Sequence, residues 1–583
     1  MPDSDVIDLT NSPARAPARA RSPNVVNLTR PNARTRARSP NVVDLARRNA
    51  RARRNARAAS PRRRNDSRRR TVSVRPTPGG SPEPSLPGSR VRPPSVPAAA
   101  DVDGSGVRVG FGPMRLLPHQ VVVSRVFARP STPGLLLYFK VGSGKTLASI
   151  AAAENLALAE RRRRTVVVVA PASLLENYRK ELEAARVDAS KYRLLSFQRM
   201  HRAGPEEAAR LCRDAVLVVD EAQNLRGLSR KADKGKTVRT MLEASRAAHK
   251  RLLLSGTPVM NYPRDIAGLL AMIHPSPDVV EEMHDFDRVF GLAGDRDRAR
   301  LDELLRCTTL YYEPSAAVLA EEYPRTVDRT VYVEMTGRQA DAHVAHMEQD
   351  MWRFELRELL EGTELGHAFL THPREICTSL GRDHPKIDAM VAALGAAHAA
   401  GHKCVVHSSY VKHGLAIARQ QLRAAGIECE AYDGSLSAAE KAGLVRRYNE
   451  GALRVLMLSD AGGEGIDLKN TAEVHLLEPA WNVERTAQVI GRAVRYRSHE
   501  SLPRSQRLVR VFRYVATFPR GVVGPRGPVG NPGNQLPGGG PNPMCNSADQ
   551  VLEWVCQRKR ATNDAFLDHL VRVSDANVRR CQV

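Results

Sequence analysis

The stretch GLLLYFKVGSGKT, residues 134–146, limits the possible folds of this chain more than any other. An apolar run stops in Gly-Ser-Gly-Lys-Thr, and LASIAAAENLALA follows with the composition of a helix. A strand that ends in glycines and opens a helix aims backbone N–H groups at one point, which is the local geometry of a phosphate cradle. Gly142, Ser143 and Gly144 form the turn, Lys145 can reach the β and γ oxygens of a nucleotide, and Thr146 can hold Mg²⁺. The full loop pattern asks for glycine five residues before Gly144, where this chain has Phe139.

Such a cradle requires a buried sheet beneath it, and the same alternation recurs along the chain. RTVVVVAP, AVLVVD and KRLLLSG are short apolar runs, each ended by Gly, Pro or an acid and followed by helical sequence. A second set comes later, with KCVVHSS at Lys403, IECEAYDG at Ile427, RVLMLSD at Arg454 and AEVHLLE at Ala472. This pattern predicts an α/β fold of two parallel sheets with crossover helices. A length of 583 residues leaves room for two such cores. The first lobe is expected over 106–270 and the second over 381–516. The intervening 271–380, rich in Glu, Arg and Leu, reads as helical elaboration and as the link between the lobes. Residues 517–546 contain a Gly/Pro-rich flexible loop, and 547–583 form a helical segment expected to fold back on the second lobe.

Ahead of the lobes, residues 1–105 are a different kind of chain. The first 100 hold 22 Arg, no Lys, six acidic residues and no aromatic residue, so most of the formal charge of +26 resides there. A segment with so little apolar surface is predicted to be disordered and to bind polyanions in a salt-dependent way. SPNVVNL at Ser22 recurs as SPNVVDL at Ser39, with DVIDLT at Asp5 a looser copy. These β-prone segments resemble SUMO-interacting linear motifs, most closely at Val6, Ile7, Asp8 and Leu9, which implies a SUMO-like partner. The duller reading is incidental repetition in a biased tail. The eight cysteines are scattered without CxxC pairs, which points to a reducing compartment and no structural zinc. The start of the chain lacks a signal-peptide core, and the longest apolar run, Thr165–Ala170, is too short to span a bilayer, so a soluble, intracellular protein without a membrane partner is expected.

Two further clusters bear on the chemistry. VLVVDEAQ ends a predicted strand with Asp220 and Glu221, one carboxylate for a metal and one to activate water. LLLSGTPVMN places Ser255 and Thr257 where they can exchange hydrogen bonds with that acidic strand. In the second lobe QVIGRAVR sets Gln488, Arg492 and Arg495 at helical spacing. With a nucleotide held by another lobe, the two arginines become candidates to meet its γ-phosphate.

LLPHQ, GSGKT, VVAPASLLENY, LLSFQRMH, DEAQ, LSGTPVMN, YDGS, SDAGGEGIDL, PAWN and QVIGRAVR occur in the order of superfamily 2 helicase and translocase motifs. The run resembles the Swi/Snf-like branch and, more narrowly, large DNA virus ATPases of the poxvirus nucleoside triphosphatase I and early transcription factor small-subunit type. The similarity covers about Met114 to Phe566. It implies two RecA-like lobes with ATP in the cleft and Mg²⁺ as its companion. Gln120 would read the adenine, Lys145 and Thr146 would bind phosphate and Mg²⁺, and Asp220 and Glu221 would serve metal and water. Gln488, Arg492 and Arg495 would act from the other lobe, with Gly465 and Asp467 near the ribose and γ-phosphate. Ser173, Ser408, Ser459 and Gly463 would contact nucleic-acid phosphates. Gln223 stands where relatives more often have His, and Phe139 where they have a small or polar residue.

The resulting expectation is a nucleic-acid-stimulated ATPase that translocates on DNA. A strand-separating helicase, on DNA or RNA, is the first alternative, and a non-hydrolysing nucleic-acid-binding scaffold the second. The viral likeness implies RNA polymerase or other transcription machinery as a partner. It also implies the host nucleus, a cytoplasmic virus factory or the virion as the compartment.

Overall fold

The structure, a computed structural model, describes residues 102–581 apart from 105, 141, 227, 229–235, 291–294, 352–369, 461–465, 482, 520–522, 525–526 and 529–545. The Arg-rich tail with its repeats, Gly463, Gly465 and most of the Gly/Pro-rich loop lie outside the described residues.

Two six-stranded, all-parallel sheets organise the rest. In lobe 1 the strands are β1 (Gly134–Phe139), β2 (Val166–Ala170), β3 (Tyr192–Ser196), β4 (Val216–Val219), β5 (Lys250–Ser255) and β6 (Thr309–Tyr312). They lie in the order β3-β2-β4-β5-β1-β6. β1, β2, β4 and β5 are buried at every position, as the central strands of a doubly covered parallel sheet must be. Successive residues serve opposite faces: Val167, Val169, Leu217 and Val219 enter one core, and Val166, Val168, Val216 and Val218 the other.

Lobe 2 contains β7 (Arg325–Glu334), β8 (Lys403–Ser408), β9 (Cys429–Tyr432), β10 (Val455–Ser459), β11 (Thr471–Leu476) and β12 (Leu508–Thr517), in the order β9-β10-β8-β11-β12-β7. Cys404, Val406, Val455 and Met457 line one core, and Val405, Leu456, Leu458 and Val474 the other.

Two elements depart from the sequence reading. The stretch 271–380 contributes strands to both sheets: β6 edges lobe 1, and β7 pairs with β12 over ten residues, from Leu508↔Arg325 to Thr517↔Glu334. The charged residues of β7 hide its strand character until β12 supplies partners such as Arg513, which pairs with Asp328 at 2.6 Å.

The C-terminal helix, Ala548–Cys581, is about 50 Å long by its rise per residue and packs on both lobes, not on the second alone. At its start Asp549 accepts from Lys386 Nζ (2.6 Å) and from the Ala516 N–H (3.0 Å) in lobe 2. Farther along, Phe566 and Leu570 enter a lobe 1 core. Ser574 Oγ then accepts the Tyr311 N–H (2.5 Å), and Asn577 donates to Leu305 O and Thr309 O (2.8 and 3.0 Å). The helix thereby covers the open edge of β6, whose backbone groups would otherwise lack partners.

Cys212, Cys377, Cys404, Cys429 and Cys556 are free thiols, whereas Cys307 is disulfide-bonded. Cys404, Glu473 and His475 approach metal-ligand distances in the lobe 2 core. Both His475 nitrogens are engaged, by Tyr514 Oη (3.0 Å) and Glu473 (3.2 Å), and Glu473 is paired with Arg510 (2.8 Å). These contacts make the cluster a hydrogen-bonded network. Among the described residues no helix is long and apolar enough to cross a membrane.

Candidate active site between the lobes

The loop after β1 is built around two left-handed glycines, Gly142 (φ +83°) and Gly144 (φ +72°), with Gly144 as the N-cap of helix Lys145–Ala159. Helix Pro118–Ala128 fastens it from behind. His119 Nε2 lies 3.0 Å from Ser143 O, Gln120 Nε2 donates to Gly144 O (3.1 Å), and Gln120 Oε1 accepts the Leu117 N–H (2.9 Å). Gln120 is thus buried with its amide engaged by backbone. Ser143 is buried, and its hydroxyl closes the turn by donating to Lys140 O (2.6 Å).

Phe139 has a packing role. It is 1% exposed, meets His119 edge-on at 5.3 Å and Tyr312 at 5.7 Å, and its carbonyl accepts from Lys145 Nζ (3.0 Å). His119 in turn stacks on Tyr312 at 3.5 Å. Phe139→Ala is expected to cost about 3 kcal/mol of stability and to weaken ATP binding through a loosened loop, with hydrolysis retained. Thermal unfolding and the KM for ATP measure this, and a loss of turnover equal to that of Lys145→Ala would overturn it.

The acidic pair lies past the end of β4, beside this loop. Glu221 adopts φ +52°, an uncommon conformation for a non-glycine residue. Asp220 is 8% exposed, and its carboxyl is pushed up to about 7 by burial and by the adjacent Glu221, with Lys145 pulling it back down. A buried carboxylate with a half-buried one beside it favours a cation, and Thr146 stands in the first helical turn, so Asp220 and Thr146 fit Mg²⁺. Burial pushes the Lys145 ammonium pKa down. Glu221 and Asp220 act to raise it, and Arg495 and Arg492 to lower it further, so groups from both lobes converge on this lysine.

Gln223 joins the acidic pair to β5. Its Nε2 donates to Glu221 Oε2 (2.5 Å) and its Oε1 accepts from Ser255 Oγ (2.7 Å), while Ser255 Oγ accepts the Thr257 N–H (3.0 Å). One amide therefore spans the carboxylate and the hydroxyl, donating at one end and accepting at the other. Gln223→Leu removes the donor to Glu221 and the acceptor of the Ser255 hydroxyl, at a cost of about 1–3 kcal/mol. It is expected to lower DNA-stimulated turnover about tenfold more than basal turnover. The ratio of the two rates measures this, and an unchanged ratio would remove Gln223 from the coupling path.

In lobe 2, helix Val483–Ala493 carries Gln488 and Arg492. Arg495 lies beyond its end, contrary to the simple helical spacing. Ser498 Oγ donates to Ala493 O (3.0 Å) and accepts the Arg495 N–H (3.3 Å), closing a turn there, and Arg495 Nε reaches back to Gly491 O (3.1 Å). Asp467 is exposed next to Leu468, whose N–H donates to Arg492 O (3.0 Å).

The serines implied as nucleic-acid contacts differ in position. Ser173 is exposed in the turn after β2. Ser459 ends β10, buried, and its hydroxyl has no hydrogen-bond partner among the described residues. Ser408 is fully buried, and its hydroxyl donates to Glu478 (2.8 Å), which leaves its neighbour Ser409 at the surface of the adjoining cavity. That cavity, of about 260 Å³, is also lined by Arg374, Asp460, Trp481 and Arg485. A cleft of about 490 Å³ at the corresponding end of lobe 1 is lined by Phe197, Gln198, His201, Arg202 and Asn224. The LLSFQRMH and PAWN motifs signalled some of them, whereas nothing local marks Arg374.

Two parallel-sheet lobes with a phosphate loop, an acidic pair and opposing arginines define a two-lobed nucleotide hydrolase. The SNF2-related domain family matches residues 205–381, and the Helicase conserved C-terminal domain family matches 385–497. A protein of Acanthamoeba polyphaga mimivirus, named as an ATP-dependent RNA helicase, is 27% identical over 405 residues, covering 66% of this chain and 86% of that protein. A termination factor NPH-I homolog of African swine fever virus is 42% identical over 64 residues, 11% of this chain and 9% of its own. Among solved structures, a Sulfolobus solfataricus SWI2/SNF2 ATPase core in complex with double-stranded DNA aligns at 18% identity with a TM-score of 0.34, covering 70% of this chain and 89% of that one. These matches support a superfamily 2, Swi/Snf-like helicase or translocase and a nucleic-acid-dependent ATPase.

Proposed function

We propose that this protein couples ATP hydrolysis to movement along duplex DNA without obligatory strand separation, in viral transcription or genome handling. The convergence of Glu221, Asp220, Arg495 and Arg492 on Lys145 supports the ATP-hydrolysing part of this reading, because it draws on both lobes, and the SNF2-related match supports movement on nucleic acid. Lys145 and the loop amides of Gly142, Ser143 and Gly144 bind the nucleotide phosphates, and Gln120 steadies the loop on its adenine side. Glu221 orients and deprotonates the attacking water. Gln488, Arg492 and Arg495 meet the phosphates from lobe 2, and Asp467 and Gly465 serve the ribose and γ-phosphate. Bound Mg²⁺, held through Asp220 and Thr146, supplies further positive charge against the phosphates.

Ser173, Ser459, Gly463 and the backbone near Ser408 track nucleic-acid phosphates, which gives salt-dependent and nearly sequence-independent binding. The Arg-rich tail adds a polyanion anchor, and transcription machinery is the class of partner that fits. The name of the mimivirus relative favours a second reading, unwinding of RNA. ATPase rates with single-stranded DNA, duplex DNA and RNA, measured beside triplex displacement and strand displacement, decide between them. Duplex-DNA stimulation with triplex displacement is the expected result. Strand separation keeping pace with ATP turnover would overturn it.

A further inference from the structure

The segment joining the lobes, helix Ala316–Glu322 followed by Tyr323 and Pro324, runs directly into β7. Its carboxylates are held by lobe 2. Glu322 accepts from Arg497 Nε (2.8 Å) and from a second guanidinium nitrogen (3.1 Å), and its carbonyl accepts the Arg497 N–H (2.8 Å). Glu321 pairs with Arg504 at 3.1 Å, and the Arg325 N–H donates to Arg507 O at 2.9 Å. These contacts make residues 321–325 part of lobe 2.

Tyr323 nevertheless reaches lobe 1. It is 8% exposed, and a methyl group added to Gly142 would lie 2.7 Å from its hydroxyl oxygen and 3.5 Å from the ring carbon bearing it. The phenol end therefore lies against the phosphate loop on Gly142, while His119 and Gln120 hold that loop at Ser143 and Gly144. Its ring meets Tyr496 edge-on at 6.0 Å, and Tyr496 stands between Arg495 and Arg497. Burial, with Tyr312 and Tyr496 nearby, raises the phenol to about 12, so it remains a neutral donor. A linker tyrosine that merely filled space would need its ring but not its oxygen. Here the oxygen lies nearer than any ring carbon to the position a Cβ of Gly142 would take.

We propose that Tyr323 is a positioning residue of the ATPase site, its hydroxyl seating on the phosphate loop at Gly142 and thereby setting the turn that carries Arg495 against the nucleotide. The inference rests on the ATPase reading above. Tyr323→Phe removes one oxygen and keeps the ring contacts. It is expected to lower kcat about tenfold with KM for ATP within about twofold, as misplacement of a transition-state group does. Because the effect runs through Arg495, the Tyr323→Phe/Arg495→Ala double variant is expected to lose no more than Arg495→Ala alone. Wild-type kcat in Tyr323→Phe, or losses that multiply in the double variant, would overturn the inference while leaving the ATPase reading intact. Absence of DNA-stimulated turnover in the unaltered protein would instead defeat the ATPase reading itself.

Discussion

Lys145→Ala is expected to lower DNA-stimulated ATP turnover at least about 100-fold, or roughly 2.7 kcal/mol of transition-state stabilisation. Its ammonium donates to Phe139 O at the base of the loop and lies in the field of Asp220 and Glu221. Alanine removes the one cation that opposes the upward shift of the Asp220 carboxyl. The variant thus loses both a phosphate contact and the charge that keeps Asp220 ready for a metal. Glu221→Gln is the informative companion, since it keeps the shape of the residue but removes a base. It is expected to lose turnover to a similar degree while still binding ATP. Single-turnover hydrolysis and equilibrium nucleotide binding separate the two variants. If Lys145→Ala retained more than a tenth of normal turnover, the phosphate loop would not be the catalytic site.

Asp549→Ala is expected to reduce stability by about 3–5 kcal/mol, the largest such effect from a single polar side chain here. Lys386 and Asp549 are both fully buried at 2.6 Å, and Lys386 donates also to Leu477 O (2.9 Å). Removing one partner leaves a buried ammonium without its counter-charge, which is far costlier than losing a surface pair. The substitution also frees the Ala516 N–H and the start of the C-terminal helix, whose far half clasps β6. Looser packing of both lobes is therefore expected, read as a lowered denaturant midpoint and as faster amide exchange around 305–312. The Lys386→Met/Asp549→Leu double variant removes both charges and is expected to recover most of the loss. A cost below about 1 kcal/mol for Asp549→Ala would mean that water reaches the pair.

The sequence by itself determined the class of fold and the chemistry at the strand ends. β1, β2, β4, β5, β8 and β10 are buried on both faces, so each has a run of consecutive apolar residues at its centre that is legible within a few residues. Gly142, Gly144, Lys145, Asp220 and Glu221 follow such strands directly, and the turn that aims them is local. The tertiary structure alone decided what depends on distant partners. β7 is charged and becomes a strand through β12, some 180 residues later. Lys386 and Asp549 are 163 residues apart, and nothing near either position announces an ion pair. Ser408 looked available to a phosphate until Glu478 claimed its hydroxyl, and Arg495 left its helix because Ser498 closes a turn beneath it. Tyr323 belongs with these: it is one aromatic residue in an acidic linker, placed on the phosphate loop by ion pairs that Glu321 and Glu322 make with arginines about 180 residues away. Local sequence encodes strand, turn and helix through side-chain periodicity and backbone preference. Contacts that close long loops are set by the packing of the whole chain, and the residues that make them carry no local signature.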